Sequence, residues 1–233
     1  VITNKTPQAI AWGQNFSSAA INQIIDLNAS ASSSLPVTYV VSDTSKAELA
    51  VTLQSNLDSW WKLDETSATT IADSSGSGSS SHTAVLIGSD GSSNWSAGKF
   101  GNALTLDGTN DYAFTSGYKG ITGTTRRTLS VWFKINSSAT DNSIIDYGSA
   151  GSGQRFKMAI STNGIAFFNY GGGSDISGGS SLNDGNWHHV AVTVPENGNS
   201  GNVKLYVDGT AHNGNGNVTI NTSATNDVLL GKN

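Results

Sequence analysis

The glutamates of this chain are too few and too scattered for catalysis by paired carboxylates. Retaining glycoside hydrolysis needs an acid and a nucleophile about 5 Å apart, which two glutamates on one strand can supply. The chain has three glutamates, Glu48, Glu65 and Glu196, and they lie far apart in the sequence. No strand-like segment carries two aspartates at a spacing of two or four residues, and no G-x-S-x-G nucleophile motif is present. The sequence therefore predicts no catalytic residues and no enzyme.

The doublet His188-His189 could suggest a metal ligand pair or a general base. Successive residues of an extended chain point to opposite faces of a sheet, so these two rings cannot easily bind one ion. We therefore expect structural roles, with His188 packed or hydrogen-bonded in the sheet and His189 on the other face. His82 and His212 lie in predicted loops without metal-ligating neighbours in the sequence.

Aromatic side chains in or beside predicted loops are the candidate sugar-binding residues. An exposed ring can stack on a sugar, and nearby amides and acids can bind its hydroxyls. Four positions meet this description: Trp95, Tyr118, Tyr147 and Tyr170. The alternative is that each ring only packs at the rim of the fold. The sequence does not indicate which sugar would bind.

Composition indicates short strands joined by many turns. Charged residues make up 12% of the 233 residues, and the chain has 27 glycines, 3 prolines and no cysteine. The net charge of −5 disfavours nucleic acid and anionic membrane surfaces as partners, because both need a basic patch. The absence of cysteine excludes disulfides and fits a bacterial secreted or surface protein. No apolar run is long enough to span a membrane.

The segment from Leu182 to Gly209 predicts the hairpin that organises the rest of the chain. Its first arm places Val190, Val192 and Val194 on one face, and its second arm places a second apolar set on one face, Val203, Leu205 and Val207. The turn-forming run between the arms favours antiparallel pairing across a long loop. A hairpin with dry faces is marginal alone, so a second sheet must cover it.

Other segments show the same alternation. Residues Thr128 to Ile135 place four apolar side chains on one face and Trp132 on the other, which is typical of a central sandwich strand. Asn163-Gly164 predicts a tight turn between two strands. Trp60 and Trp61 are adjacent, so we expect one of them to be buried and the other to meet a neighbour or a ligand. The predicted class is an all-β sandwich.

Several motifs in one order resemble a known family. They are WWKLDET, ADSSG, GKFGNALTLDGTNDY, TLSVWFKI, DGNWHHVAVTV and VKLYVDG. Together they resemble the laminin-G-like, concanavalin A-like lectin domain of large bacterial extracellular proteins. The resemblance covers residues 57–233 and implies a jelly-roll β-sandwich. A final strand that normally follows in the family is not found, so we expect either truncation or a strand supplied by another copy, which would pair with an open sheet edge.

The resemblance also implies one structural Ca²⁺ ion at a loop edge. Similar domains often hold calcium there, and Asp73 and Asp111 are the positions it implies first, with Asp107 and Asn110 next. Calcium prefers six to eight oxygen ligands, which acidic Gly/Ser/Asn loops provide. The alternative is that these residues are Asx-turn residues that bind their own backbone.

Residues 1–55 predict a separate small β unit. Gln8 to Trp12 and Gln23 to Ala31 are extended candidates, and the stretch LPVTYVVSD resembles a strand and turn of bacterial immunoglobulin-like repeats. Such repeats need about seven strands, and about four are visible. The unit is therefore expected to be partial, either truncated or interrupted, with completion by another chain as the alternative.

These observations predict a non-catalytic carbohydrate-binding or adhesive module of a large secreted or cell-surface bacterial protein, stabilised by calcium. Its expected partners are a glycan or polysaccharide surface and, through strand pairing, other copies or neighbouring domains. Two alternatives stay open. One is a structural repeat of an extracellular fibre or stalk, and the other is an accessory module of a polysaccharide-degrading enzyme.

Overall fold

The computed structural model describes residues 57–75, 82–88, 91, 94–136, 141–173 and 175–232, together with the backbone of two short strands nearer the N-terminus. The chain divides into two compact units, Val1–Gln54 and Ser55–Asn233. In the first unit β1 (Ile10–Ala11) pairs antiparallel with β2 (Ser30–Ala31). Both strands fall inside segments predicted to be extended. The rest of the predicted immunoglobulin-like unit lies outside the described residues.

In its described residues, the second unit is built from strands and one short 3₁₀ turn, Ser200–Asn202. Its strands are β3 (Thr70–Ile71), β4 (Ala84–Ile87), β5 (Trp95–Ala97), β6 (Asn102–Leu104), β7 (Tyr112–Thr115), β8 (Arg127–Lys134), β9 (Asn142–Gly148), β10 (Arg155–Ile160), β11 (Ala166–Asn169), β12 (Asp175–Gly178), β13 (Trp187–Val194), β14 (Lys204–Val207), β15 (Thr210–Asn213) and β16 (Val228–Leu230).

The strands form two main sheets and a small hairpin. The larger sheet has eight strands in the order β12-β11-β10-β9-β16-β7-β4-β3, and the smaller has four in the order β15-β14-β13-β8. Strands β5 and β6 pair with each other as a separate hairpin. Strand β16 is paired on both sides, with β7 and β9. The sequence predicts that a further, final strand of the family is missing from this chain, and this stays a prediction.

The two main sheets pack face to face over one apolar core. From the smaller sheet come Phe133, Val190, Val192 and Leu205, and from the larger sheet come Ile145, Phe156, Met158, Phe168, Ile176 and Val228. Because side chains alternate along each strand, one face of each sheet is apolar and both apolar faces are removed from water by stacking. The predicted all-β, jelly-roll type sandwich is therefore confirmed.

The hairpin predicted from Leu182 to Gly209 is present as β13 and β14. Val190 lies opposite Val207 and Val192 opposite Leu205. All six predicted apolar side chains of the two arms are buried. Asp208 and Gly209 both have positive φ, as a two-residue type I′ turn into β15 requires. The long loop between the arms contains the 3₁₀ turn.

Within the described part of the chain, no helix is long and apolar enough to cross a membrane.

Arg127 at the start of β8 ties several loops to the sandwich. Its guanidinium donates to the carbonyl of Ile121 (2.8 Å), to the carbonyl of Gly123 (3.3 Å) and to Oγ1 of Thr222 (2.8 Å). It also lies over the ring of Phe156, 5.7 Å from the centroid. Burial lowers the pKa of Arg127. A buried guanidinium that donates to several loop acceptors acts as a clamp, because it holds segments that are distant in sequence against one another.

We predict that Arg127→Met lowers the free energy of unfolding by about 2–4 kcal/mol, since it leaves the Ile121 carbonyl and the hydroxyl of the buried Thr222 without this donor. The matched control is Arg126→Met, because Arg126 is exposed and should change stability by less than about 0.5 kcal/mol. Urea unfolding followed by tryptophan fluorescence measures both. Equal stability of the two variants would contradict the clamp.

Candidate functional site

Asp73 is a buried hydrogen-bond acceptor that ties three segments together. Its side chain is 1% exposed. Oδ1 accepts from the amides of Trp60 and Ser75, each at 2.9 Å, and Oδ2 accepts from the amide of His82 at 3.0 Å. Burial raises the pKa of Asp73, but these backbone donors outweigh burial, and the net pKa lies below its ordinary value. The carboxylate therefore anchors the segments around Trp60 and His82.

Asp107, Asn110 and Asp111 lie together in the loop before β7. Oδ1 of Asp107 accepts from the amide of Thr109 at 2.8 Å and more weakly from those of Asn110 and Asp111. These amide donors lower the pKa of Asp107. The side-chain amide of Asn94 donates to Oδ2 of Asp111 at 2.8 Å, which ties the loop to the start of β5.

The donor set around these carboxylates fits Asx turns better than a calcium ion. A cation needs oxygen lone pairs directed at it, whereas N–H groups occupy both oxygens of Asp73 and Oδ1 of Asp107. Among the residues that the structure describes, no three acidic or histidine side chains converge as a metal site would require. Calcium binding at Asp73, Asp107, Asn110 and Asp111 stays a prediction.

Trp95 and Tyr118 are half-buried at the rim. Trp95 packs on the small cluster of Ile71, Ala84 and Ala113, and its indole N–H donates to the carbonyl of Ala68 at 2.9 Å. The ring of Tyr118 stacks on His82 with centroids 3.7 Å apart, and its hydroxyl donates to Asp58. Burial, reinforced by Asp58, raises the pKa of Tyr118. Each ring therefore has one face committed to packing.

Tyr147 and Tyr170 lie next to loops, as predicted, near the ends of β9 and β11, but both side chains are buried in the core. They are 6% and 4% exposed. Tyr147 stacks on Phe156 at 4.9 Å, and Tyr170 lies 6.3 Å from Phe168. Gly120 has positive φ, and a Cβ there would lie 2.5 Å from the Tyr147 ring, so glycine lets the chain close over this tyrosine. Neither ring presents a face to solvent on which a sugar could stack.

The outward face of the four-stranded sheet carries aromatic side chains that the sequence analysis did not propose as a site. The register places Trp132 opposite His189, Lys134 opposite Trp187, and Ala191 opposite Tyr206. Directly opposed residues share a face, and the neighbouring positions Phe133, Val190 and Val207 face the core. We call these outward residues, together with Phe100 described below, the aromatic face.

Trp132 is the centre of the aromatic face. It is 39% exposed and lies beside His189, with ring centroids 5.2 Å apart. The tip of the β5–β6 hairpin reaches it from the side. The Phe100 side chain, 74% exposed, approaches the Trp132 ring edge-on, with centroids 6.1 Å apart. The Lys99 ammonium lies 4.9 Å from the centroid of the Trp132 ring.

The hairpin that carries Lys99 and Phe100 is fixed to the body of the domain. The side-chain amide of Asn102 donates to the carbonyls of Asp64 (3.2 Å) and Glu65 (3.1 Å). At the turn, the amide of Gly98 donates to the carbonyl of Gly101 at 2.9 Å. Phe100 is therefore exposed on a turn that these hydrogen bonds hold in place. The outward position of Trp132 was predicted from alternation, whereas the arrival of Phe100 beside it had no signal in the sequence.

His188 and His189 point to opposite faces of β13, as predicted. His188 packs on Phe133 and hydrogen-bonds Asp208 through Nδ1 (2.7 Å) and Asp184 through Nε2 (3.1 Å). His189 hydrogen-bonds the Ser130 hydroxyl at 2.8 Å. Burial lowers the pKa of His188, but its two carboxylate partners outweigh burial and leave the pKa raised. The pKa of Asp184 falls to about 2, chiefly through its bonds from Asn186 and His188.

The fold and its sequence motifs define the family. A family model described as the concanavalin A-like lectin/glucanases superfamily matches residues 107–233, more than half of the chain. The chain therefore belongs to this superfamily. The family part of the resemblance is confirmed, and the immunoglobulin-like repeat before it stays a prediction. A search of curated proteins finds no significant match.

Three solved structures are similar to this chain at low sequence identity. Domain 4 of AbnA, a GH43 extracellular arabinanase from Geobacillus stearothermophilus solved in complex with arabinotriose, is 20% identical with a TM-score of 0.50 and covers 69% of this chain and 77% of its own. Domains LG4-5 of the mouse laminin alpha1 chain are 17% identical with a TM-score of 0.34, covering 49% of this chain and 30% of their own. A botulinum neurotoxin type C, whose cell entry depends on interaction with two ganglioside molecules, is 19% identical with a TM-score of 0.43, covering 72% and 41%.

We predict a stability that falls as the pH rises above about 6.5 and that depends on His188. A raised folded-state pKa means that the charged ring contributes stability below its unfolded pKa of about 6.5 and loses it as the pH rises through the folded value. His188→Gln should flatten this decline in chemical unfolding measured across the same pH range.

The control for this pH effect is His189→Gln, because His189 bonds a neutral hydroxyl. We expect this variant to keep the decline. A decline that persists in His188→Gln would contradict the proposed contribution of the ion pairs with Asp184 and Asp208.

Proposed function

We propose that this chain is a non-catalytic carbohydrate-binding module and that the aromatic face is its binding surface. The observation that carries the proposal is the exposed Trp132 ring on an ordered sheet face, flanked by Phe100 and His189. Aromatic rings offer apolar area at low entropic cost, and the hydroxyls and amides of neighbouring side chains can bind sugar hydroxyls. Ser130 and Thr128 occupy the same outward face.

The similar domains support a role in glycan recognition. Domain 4 of AbnA was solved with arabinotriose, and the neurotoxin interacts with gangliosides. The laminin-type fold and these neighbours favour an extracellular module, and we retain a secreted or cell-surface bacterial protein as the proposed location. A role as the accessory module of a polysaccharide-degrading enzyme is compatible with this proposal, because AbnA is an arabinanase.

A structural repeat in a fibre or stalk is the second candidate function. The observation that favours it is the exposure of Val85 and Ile87 on β4, one strand from the edge formed by β3. Exposed apolar side chains next to an edge strand favour pairing with another chain. Sedimentation of the purified protein separates the two functions: concentration-dependent polymers without binding to any glycan would favour the structural repeat.

Trp132→Ala tests the carbohydrate-binding proposal. We expect affinity for a polysaccharide that the wild-type chain binds to fall about tenfold or more, because a stacked ring contributes about 1.5 kcal/mol or more. Affinity gel electrophoresis against arabinan, xylan, polygalacturonate and methyl-esterified polygalacturonate gives the measurement.

Trp60→Ala is the matched control. Trp60 is also 39% exposed and also has a lysine ammonium over its ring, that of Lys62 at 4.8 Å, but it belongs to the segment before β3. We expect this variant to bind as the wild type does. Equal losses in both variants, or a loss only in Trp60→Ala, would contradict the assignment of the aromatic face.

The proposed calcium ion has its own test. Calcium at 100 times its dissociation constant would add about 2.7 kcal/mol to the stability of the folded chain. Thermal melting with and without EDTA measures this effect, and an unchanged midpoint would remove calcium from the account.

A further inference from the structure

We propose that the aromatic face selects acidic polysaccharides, whose sugar units carry carboxylate or sulfate groups. This inference rests on the proposed function and names the class of glycan that the same surface would bind. The observation behind it is the charge of the four-stranded sheet, which is positive although the net charge of the chain is negative.

The four-stranded sheet contains no acidic residue. Its strands read RTLSVWFK, WHHVAVTV, KLYV and TAHN, and the structure describes all of them. The whole chain has 17 Asp and Glu against 12 Lys and Arg. The outward positions of this sheet nevertheless include Lys134 and Lys204, and the hairpin tip adds Lys99. The face is thus locally basic on an acidic protein.

Two of these lysines are paired with tryptophans and not with carboxylates. The ammonium of Lys99 lies 4.9 Å from the centroid of Trp132, and that of Lys134 lies 5.8 Å from the centroid of Trp187. Within the described parts of the chain, no carboxylate lies within ion-pair distance of either lysine. Asp184 and Asp208 at the near end of the sheet are engaged by His188.

Lysines elsewhere in the domain include two with acidic neighbours, whereas Lys62 and Lys232 also lie over aromatic rings, those of Trp60 and Tyr112. Lys119 forms an ion pair with Asp227 at 2.6 Å, and Lys157 on the eight-stranded sheet lies opposite Asp146. Arg155 on that sheet also binds Asp146. Cations on the larger sheet therefore have acidic neighbours, whereas those on the aromatic face are left for an external anion.

A lysine ammonium beside an indole ring fits a sugar acid. A pyranose ring that stacks beside an indole carries its acidic substituent at the ring edge, where a flexible lysine can reach it. Exposed ion pairs of this kind are individually weak and screened by salt, so several must act together. Three lysines along one face are better suited to bind a polymer with a charge on each unit than a single small anion.

The test compares one polymer with and without its charge. Polygalacturonate and its fully methyl-esterified form share a backbone, so their difference in affinity isolates the carboxylate. We expect the wild-type chain to bind polygalacturonate about tenfold more tightly, and we expect this preference to shrink as NaCl rises from about 20 mM to about 500 mM. Dextran sulfate against dextran repeats the comparison for sulfate, and the larger of the two preferences identifies the acidic group.

Two triple variants make the residue assignment. Replacement of Lys99, Lys134 and Lys204 by Gln should remove the preference, so that the variant binds polygalacturonate no more tightly than the methyl ester. Replacement of Lys62, Lys157 and Lys232 by Gln changes the net charge by the same amount outside the aromatic face, and should keep the preference. Circular dichroism confirms that both variants fold.

The outcomes separate this inference from the proposed function. Equal binding of the charged and esterified polymers, lost in Trp132→Ala, overturns the selection of acidic glycans and leaves carbohydrate binding intact. Binding to no polymer overturns both. Tighter binding to a single-stranded DNA oligonucleotide than to either acidic polymer also overturns the inference, because a basic aromatic surface would then serve nucleic acid.

Discussion

The alternation of side chains along β8 and β13 is the constraint on which the rest of the structure depends. These two strands pair over eight residues, from Trp187 opposite Lys134 to Val194 opposite Arg127. Because Phe133, Val190 and Val192 must reach the core shared with the larger sheet, the intervening side chains have to face outward. A shift of one residue would bury Trp132 with its lysine neighbours and expose the valines, so the same burial that stabilises the sandwich also sets out the aromatic face.

The loops of the domain are organised by hydrogen bonds within the chain. Asp73 binds the amides of Trp60, Ser75 and His82, and Arg127 binds carbonyls of the segment that precedes β8. The loops of this chain are rich in small residues, and the chain has no disulfides, so apolar contacts and cross-links do little to fix the loops. Buried polar groups with several hydrogen-bond partners fix them instead. The Asp73 carboxylate and most of the Arg127 guanidinium donors are thus engaged within the chain, whereas Trp132 and Phe100 on the aromatic face are exposed to solvent.

Much of the fold could be predicted because it depends on local patterns. Alternation in the β13–β14 hairpin and the opposite directions of His188 and His189 are properties of neighbouring residues, and the structure confirms them. The site was harder to predict. Tyr147 lies next to a loop, which suggested an exposed ring, but the ring shares its buried face with Ile145 on β9. Phe100 meets Trp132 across a contact between distant segments, which no local pattern encodes.

The central claim is that ligands contact the outward face of the four-stranded sheet. Indole N–H signals in a two-dimensional NMR spectrum report on each tryptophan separately, and those of Trp61 and Trp95 are hydrogen-bonded to carbonyls within the fold. Titration with oligosaccharide fragments of a polymer that binds should shift the signals of Trp132 and Trp187 and leave those of Trp61 and Trp95 in place. Shifts confined to Trp60, Trp61 and Trp95 would contradict the account.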